Sequence, residues 1–128
     1  MDSKTNTIAF AFRRPKFPLI CDFDGELFAV SSPAALQRRL AGVELADEKK
    51  TRFVDASGEP WMFLAEARIF APGFTIRRWR KIEVIRMFNE SRSAKSMGLM
   101  YPERRLANRR LDMIVRDIAA LLTRKTAG

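Results

Sequence analysis

The chain reads as a single α+β domain, and three observations predict that class. Two turn signals, Asp24-Gly25 and Ala56-Ser57-Gly58-Glu59, each separate short apolar runs, as hairpins do. Toward the C-terminus, apolar residues recur at three- and four-residue intervals, the period of a helix. With 128 residues and 47% hydrophobic content, the chain is long enough for one core without metal or disulfide staples. The expected architecture is an antiparallel sheet of four or five strands from two hairpins, with about three helices packed on one face. The expected organisation is a loose N-terminal arm over 1–14, an α+β core over 15–91, a polar linker over 92–101 and an amphipathic helix over 102–124.

The elements follow in order. Phe10 and Phe12 alternate with alanine as a short edge strand does. Pro15 and Pro18 punctuate the chain, and Leu19-Ile20-Cys21-Asp22-Phe23 pairs across Asp24-Gly25 with Glu26-Leu27-Phe28-Ala29-Val30. Ser32 is an N-cap, Pro33 the first helical position and Gly42 a C-terminal cap for a helix near 33–41 that carries Leu36 and Leu40. A polar connection over 46–50 leads to a strand over 51–55 and the second hairpin turn. From Trp61 to Ala71 the period is two, so Trp61, Phe63, Ala65, Ala67 and Ile69 should share the core face. A helix near 80–90 places Ile82, Val84, Ile85 and Phe88 in one apolar arc. The Ser-rich stretch over 91–98 reads as a linker. The last helix, over 102–123, carries Ala107, Leu111, Ile114, Val115, Ile118, Leu121 and Leu122 on one stripe.

Composition removes whole classes of chemistry. The chain has no histidine, hence no histidine general base, histidine metal ligand or Ser/His/Asp triad of its own. One cysteine, Cys21, cannot form an internal disulfide and in its apolar run reads as a small core residue. No metal site and no cofactor is expected. The apolar run at Ile8-Ala9-Phe10-Ala11-Phe12 is too short for a signal-peptide core and is followed by Arg13-Arg14. No stretch nears the roughly 20 apolar residues of a spanning helix. The expected compartment is cytoplasmic.

Charge is the most one-sided property. The net charge is +9, and it belongs to the last 55 residues: they hold 14 Lys/Arg against 5 Asp/Glu, whereas the first 73 hold ten of each. Such an imbalance attracts anions and steers acidic partners. Arg77-Arg78-Trp79-Arg80-Lys81 is the densest cluster, with an aromatic in its middle. On the last helix, Arg105, Arg109 and Arg116 fall on one ridge, where Asp112 is placed to pair with Arg109 and Arg116. These eight residues, Arg77, Arg78, Trp79, Arg80, Lys81, Arg105, Arg109 and Arg116, form the candidate anion-binding set. Leu106, Met113 and Ala120 lie beside the ridge, either packed on the sheet or facing a partner or second copy.

The segment from Leu19 to Leu27 resembles the first motif of the haloacid dehalogenase-like phosphohydrolases, where a hydrophobic strand delivers an Asp-x-Asp-Gly-Thr-Leu loop. That resemblance implies Asp22 as nucleophile, Asp24 as general acid/base and Mg²⁺ bridging carboxylate and phosphate. It covers about nine residues. Glu26 stands where the family has a small residue, and no later acidic cluster completes a metal site. The same residues read as a hairpin with an Asp-Gly turn.

Three functions follow in order of support. The first is a non-enzymatic interaction module docking an acidic protein partner through the basic half. The second is a nucleic-acid-binding domain, which would display Trp79 or Tyr101 for stacking. The third is a metal-dependent phosphohydrolase using Asp22 and Asp24.

Overall fold

The computed structural model describes residues 7–41, 51–74 and 76–127. Within them six strands form one mixed sheet: β1 (Ala9–Phe10), β2 (Leu19–Phe23), β3 (Glu26–Val30), β4 (Thr51–Val54), β5 (Pro60–Leu64) and β6 (Ile69–Pro72), in the order β1-β6-β5-β4-β2-β3. Four α-helices accompany it: α1 (Pro33–Leu40), α2 (Lys81–Glu90), α3 (Arg92–Met97) and α4 (Leu111–Ala127), with a 3₁₀ turn at Glu103–Leu106. The α+β class is as expected. The sheet is larger than expected and mixed, because β1 runs parallel to β6, with Ala9 opposite Ile69 and Phe10 opposite Phe70.

The Asp24-Gly25 turn forms as its sequence requires. Both residues take positive φ, 54° and 95°, the signature of a type I′ turn whose twist matches the strands it joins. Asp22 Oδ1 accepts the Gly25 N–H at 2.7 Å and closes the turn. Ser32 caps α1 by accepting the Ala35 N–H at 3.1 Å, with Pro33 leading the helix. The cap expected at Gly42 lies outside the described residues.

The alternation from Trp61 to Ala71 is not one strand. It breaks at a four-residue turn over 65–68, where Arg68 takes φ 56° and its N–H reaches the Ala65 carbonyl at 3.3 Å. Antiparallel pairing across an even-numbered turn joins residues of opposite parity, so Phe63 lies opposite Phe70 and Leu64 opposite Ile69. Phe70, not Ile69, therefore joins Trp61 and Phe63 in the core, and stacks on the Trp61 ring at 5.4 Å.

Helices lie on both faces of the sheet, not on one. The register sets Ile20 opposite Ala29 and Val54, and Cys21 opposite Phe28 and Phe53. The first set faces α2, α3 and α4 in a core with Val84, Ile85, Phe88, Ile114 and Ile118. The second faces α1 in a core with Leu36, Leu40, Trp61, Phe63 and Phe70. Both sides of a central strand being covered explains why Leu19 to Asp22 are all buried.

The Ser-rich stretch expected as a linker is α3. Ser91 caps it by accepting the Ala94 N–H at 3.0 Å, and Gly98 ends it in the left-handed conformation at φ 67°. Ser93 is buried, and its hydroxyl accepts the Leu27 N–H at 2.8 Å, satisfying a donor on the outer edge of β3. The last helix starts at Leu111, not at Pro102. Arg109 folds back onto Asp117, eight residues ahead; within one helix those positions stand about 12 Å apart along the axis, too far for a bidentate pair.

Candidate interaction surface

Residues 73–74 and 76–80 are held by backbone hydrogen bonds to one another and to the neighbouring strand and turn. Gly73 N–H donates to the Pro60 carbonyl at 2.9 Å, Ile76 N–H to Gly73 at 3.0 Å and Trp79 N–H to Gly58 at 2.9 Å. Gly58 is required there: its φ is 85°, and a Cβ would collide with the Leu111 side chain. The turn over 55–59 is organised by one buried carboxylate. Asp55 accepts from the backbone of Ser57 at 2.9 Å, the backbone of Glu59 at 3.0 Å and the Trp61 indole at 3.1 Å. It also accepts the Lys16 N–H at 3.1 Å, tying the N-terminal segment to the same turn.

At the end of this loop Arg80 precedes α2, and its backbone N–H donates to Glu83 Oε1 at 2.8 Å. That hydrogen bond, helped by the charges of Arg80 and Arg77, holds the Glu83 carboxyl below its ordinary value. The arrangement is half of a capping box built with arginine at the N-cap position.

Between this loop and α2 runs a groove of about 390 Å³ lined by Arg52, Ile76, Arg77, Trp79, Glu83, Arg86, Met87 and Glu90. Trp79, half-buried against the helix-covered core, forms part of its apolar floor with Ile76 and Met87. The Arg52 guanidinium stands 5.4 Å from the Trp79 ring centre, within cation–π range. It simultaneously donates from Nε and Nη2 to Asp22 Oδ2 at 2.9 and 2.6 Å. A second depression shares Arg52, Met87 and Glu90 and reaches Asp24 and Gly25, extending the groove to the first hairpin.

The candidate residues meet different neighbours. Arg77, Arg78 and Arg80 are exposed on or beside the loop, with Arg77 and Arg80 in loose contact with Glu83 at 3.5 and 3.6 Å. Arg78 hydrogen-bonds the Ser57 carbonyl. Lys81 is turned inward, its ammonium on the Leu106 carbonyl at 2.8 Å. The Arg105 side chain lies outside what is described. Arg109 is drawn into a compact web: its Nε and Nη2 donate to the Asp117 oxygens at 2.8 Å each, and the Tyr101 hydroxyl donates to Asp117 Oδ2 at 2.6 Å. Asp112 pairs with Arg110 at 3.2 Å, not with Arg109 or Arg116 as the helical spacing predicts. Arg116 is exposed and lines a separate groove with Phe17, Pro18 and Ala119.

Two groove residues went unnoticed in the sequence, Arg52 and Arg86. Arg52 is legible only once β2 and β4 are paired, because that register puts it opposite Asp22. Arg86 is a lone cation in a helical heptad and carries no signal by itself.

Asp22 and Asp24 do not fit the Mg²⁺ that their motif implies. Asp22 is buried and engaged by Gly25 and Arg52, and its strand sits in an antiparallel hairpin. Among the described residues no three Asp, Glu or Cys side chains converge to hold a metal ion. Tyr101, one of the two rings a base could stack on, is buried with its hydroxyl engaged. No helix among the described residues is long and apolar enough to cross a membrane. No protein-family model matches the chain, and no curated protein or solved structure matches it significantly.

Proposed function

We propose that this chain is a non-enzymatic interaction module that docks an acidic segment of a partner protein in the groove between residues 76–79 and α2. The observation that carries the reading is the pairing of an apolar floor, Ile76, Trp79 and Met87, with the guanidinium groups of Arg52, Arg77 and Arg86. Interfaces favour aromatic and arginine side chains at their centres, and a guanidinium recognises a carboxylate through two parallel hydrogen bonds. Arg86 contacts Glu103 only at 3.6 Å and is exposed, so an incoming carboxylate competes with a weak, solvated pair. Neither ring named for base stacking, Trp79 or Tyr101, offers an open face. Tyr101 is covered, and Trp79 packs on the core with Arg52 near its ring.

The test is fluorescence anisotropy with labelled peptides rich in Asp and Glu and bearing one large apolar residue. Labelled single- and double-stranded oligonucleotides serve as competitors for the assignment. Peptide binding should weaken at least tenfold in Arg77→Glu/Arg86→Glu and be retained in Arg116→Gln. Oligonucleotide affinity that persists near physiological salt and disappears in Trp79→Ala would replace this reading with the nucleic-acid one, since stacking contributes about 1–3 kcal/mol per base. A merely electrostatic contact with roughly four duplex phosphates would instead fall with a log–log salt slope of about −3.6.

A further inference from the structure

Away from the groove, the backbone is strained where a large ring is left in solvent. Phe12 takes φ 73°, and the Arg13 N–H donates back to the Ala11 carbonyl at 2.8 Å. Positive φ at the centre of such a three-residue turn is the rare, strained form of the γ-turn, and for a bulky residue it is an outlier. Strain of this kind persists only where the surroundings impose it, and it concentrates at functional positions. Here the Ala11 N–H is fixed to the Phe70 carbonyl at 3.0 Å and Arg13 is paired with Glu59. The result is a Phe12 ring 80% exposed, meeting edge-on the Phe74 ring, itself 66% exposed, at 5.0 Å.

The charges around these side chains have one sign available. Arg13 and Arg78 flank the same turn, one on Glu59 and the other on the Ser57 carbonyl, and Arg14 lies beside Arg13 in the chain. The nearby carboxylates are engaged: Glu59 by Arg13, Glu83 by Arg80 and Arg77, and Asp55 within its turn. Rings this open project from the surface instead of lining a cleft. Projecting apolar tips collared by arginine match an anionic bilayer, whose acyl boundary accepts the rings while its phosphates meet the cations.

We infer that Phe12 and Phe74, with Arg14 and Arg78, form a seat for an anionic membrane surface. Phe12, Phe74, Arg14 and Arg78 lie outside the groove lining, so their variants leave the groove residues unchanged. Co-sedimentation compares vesicles of phosphatidylcholine alone with vesicles of phosphatidylcholine and phosphatidylglycerol in equal parts. Wild type should bind the anionic vesicles and leave the neutral ones. Phe12→Gly removes the ring and suits the positive φ, so its thermal midpoint should equal or exceed that of wild type. Phe12→Gly and Phe74→Ser should each lower vesicle partitioning about tenfold, as expected for losing a buried aromatic side chain. Arg78→Gln should lower it roughly fivefold. Absence of binding to anionic vesicles overturns the inference, as does partitioning that is unchanged in Phe12→Gly/Phe74→Ser. Acidic-peptide binding that depends on Phe12 and Phe74, with no vesicle binding, would assign these rings to a protein partner.

Discussion

Arg77 and Arg109 come from the same basic half of the chain and meet opposite fates. The Arg109 side chain is 30% exposed and clamped by two short hydrogen bonds to Asp117, which also receives the Tyr101 hydroxyl. Arg77 is 70% exposed and touches Glu83 at 3.5 Å. The first belongs to a closed web that also includes Asn89, whose amide bonds the Tyr101 carbonyl and N–H at 3.0 and 2.7 Å. The second belongs to a loop that leaves rings and guanidinium groups in water. Net charge therefore overstates what a partner meets. Exposure as well as charge decides what a cation offers an interface, and Lys81 and Arg109 are drawn into the fold, onto the Leu106 carbonyl and Asp117.

The contrast can be tested by asking how much stability each region carries. The largest effect is expected from Phe88→Ala. Phe88 is fully buried in the core that Tyr101 closes, and its truncation should cost about 3–5 kcal/mol in urea denaturation. A loss under about 1 kcal/mol would mean that the web does not cap a packed core.

Next comes Asp117→Asn, which weakens the acceptor shared by Arg109 and Tyr101 and should cost about 1–3 kcal/mol. It also has a pH signature. Burial first, and then the hydrogen bond and charge of Asp117, raise the Tyr101 phenol above its ordinary value. The folded state thus holds that proton more tightly than the unfolded chain. The contribution is complete below the ordinary tyrosine range and is lost as pH rises through it toward the folded value. In Asp117→Asn the tyrosinate absorbance transition of the folded protein should move to lower pH, and an unmoved transition would deny the web its electrostatic role.

The smallest effect is expected from Arg77→Ala, within about 0.5 kcal/mol of wild type, because a loose exposed pair contributes little. A loss there as large as that of Asp117→Asn would erase the difference between the two regions.

Much of the local structure was legible. The Asp24-Gly25 hairpin and the Ser32-Pro33 helix start are encoded by backbone preferences of a few adjacent residues, so no distant contact was needed to read them. The candidate site was legible in part. The cluster at Arg77-Arg78-Trp79-Arg80 stands out in the sequence and lies on an exposed loop with a half-buried tryptophan, whereas Arg52 and Arg86 acquire their place only through strand pairing and helix docking. Phe12 looked like one more strand residue, since nothing in Ala11-Phe12-Arg13 announces a positive φ.

By itself the sequence determined the α+β class, the first hairpin, the capped first helix and the imbalance of charge, all of which depend on residue type and short-range spacing. Tertiary structure decided the rest. Alternation from Trp61 to Ala71 is equally compatible with one strand or two, and only pairing of Phe63 with Phe70 selects between them. Ser91 and Ser93 suit a linker or a helix, and the unpaired Leu27 N–H at the edge of the sheet made the second arrangement favourable. Charges behaved likewise: a guanidinium is drawn to whichever carboxylate the fold brings within reach, and for Arg109 that was Asp117 across a turn, not Asp112 along a helix. Long-range contacts settle such choices because the competing local arrangements differ by too little free energy for local preference to separate them.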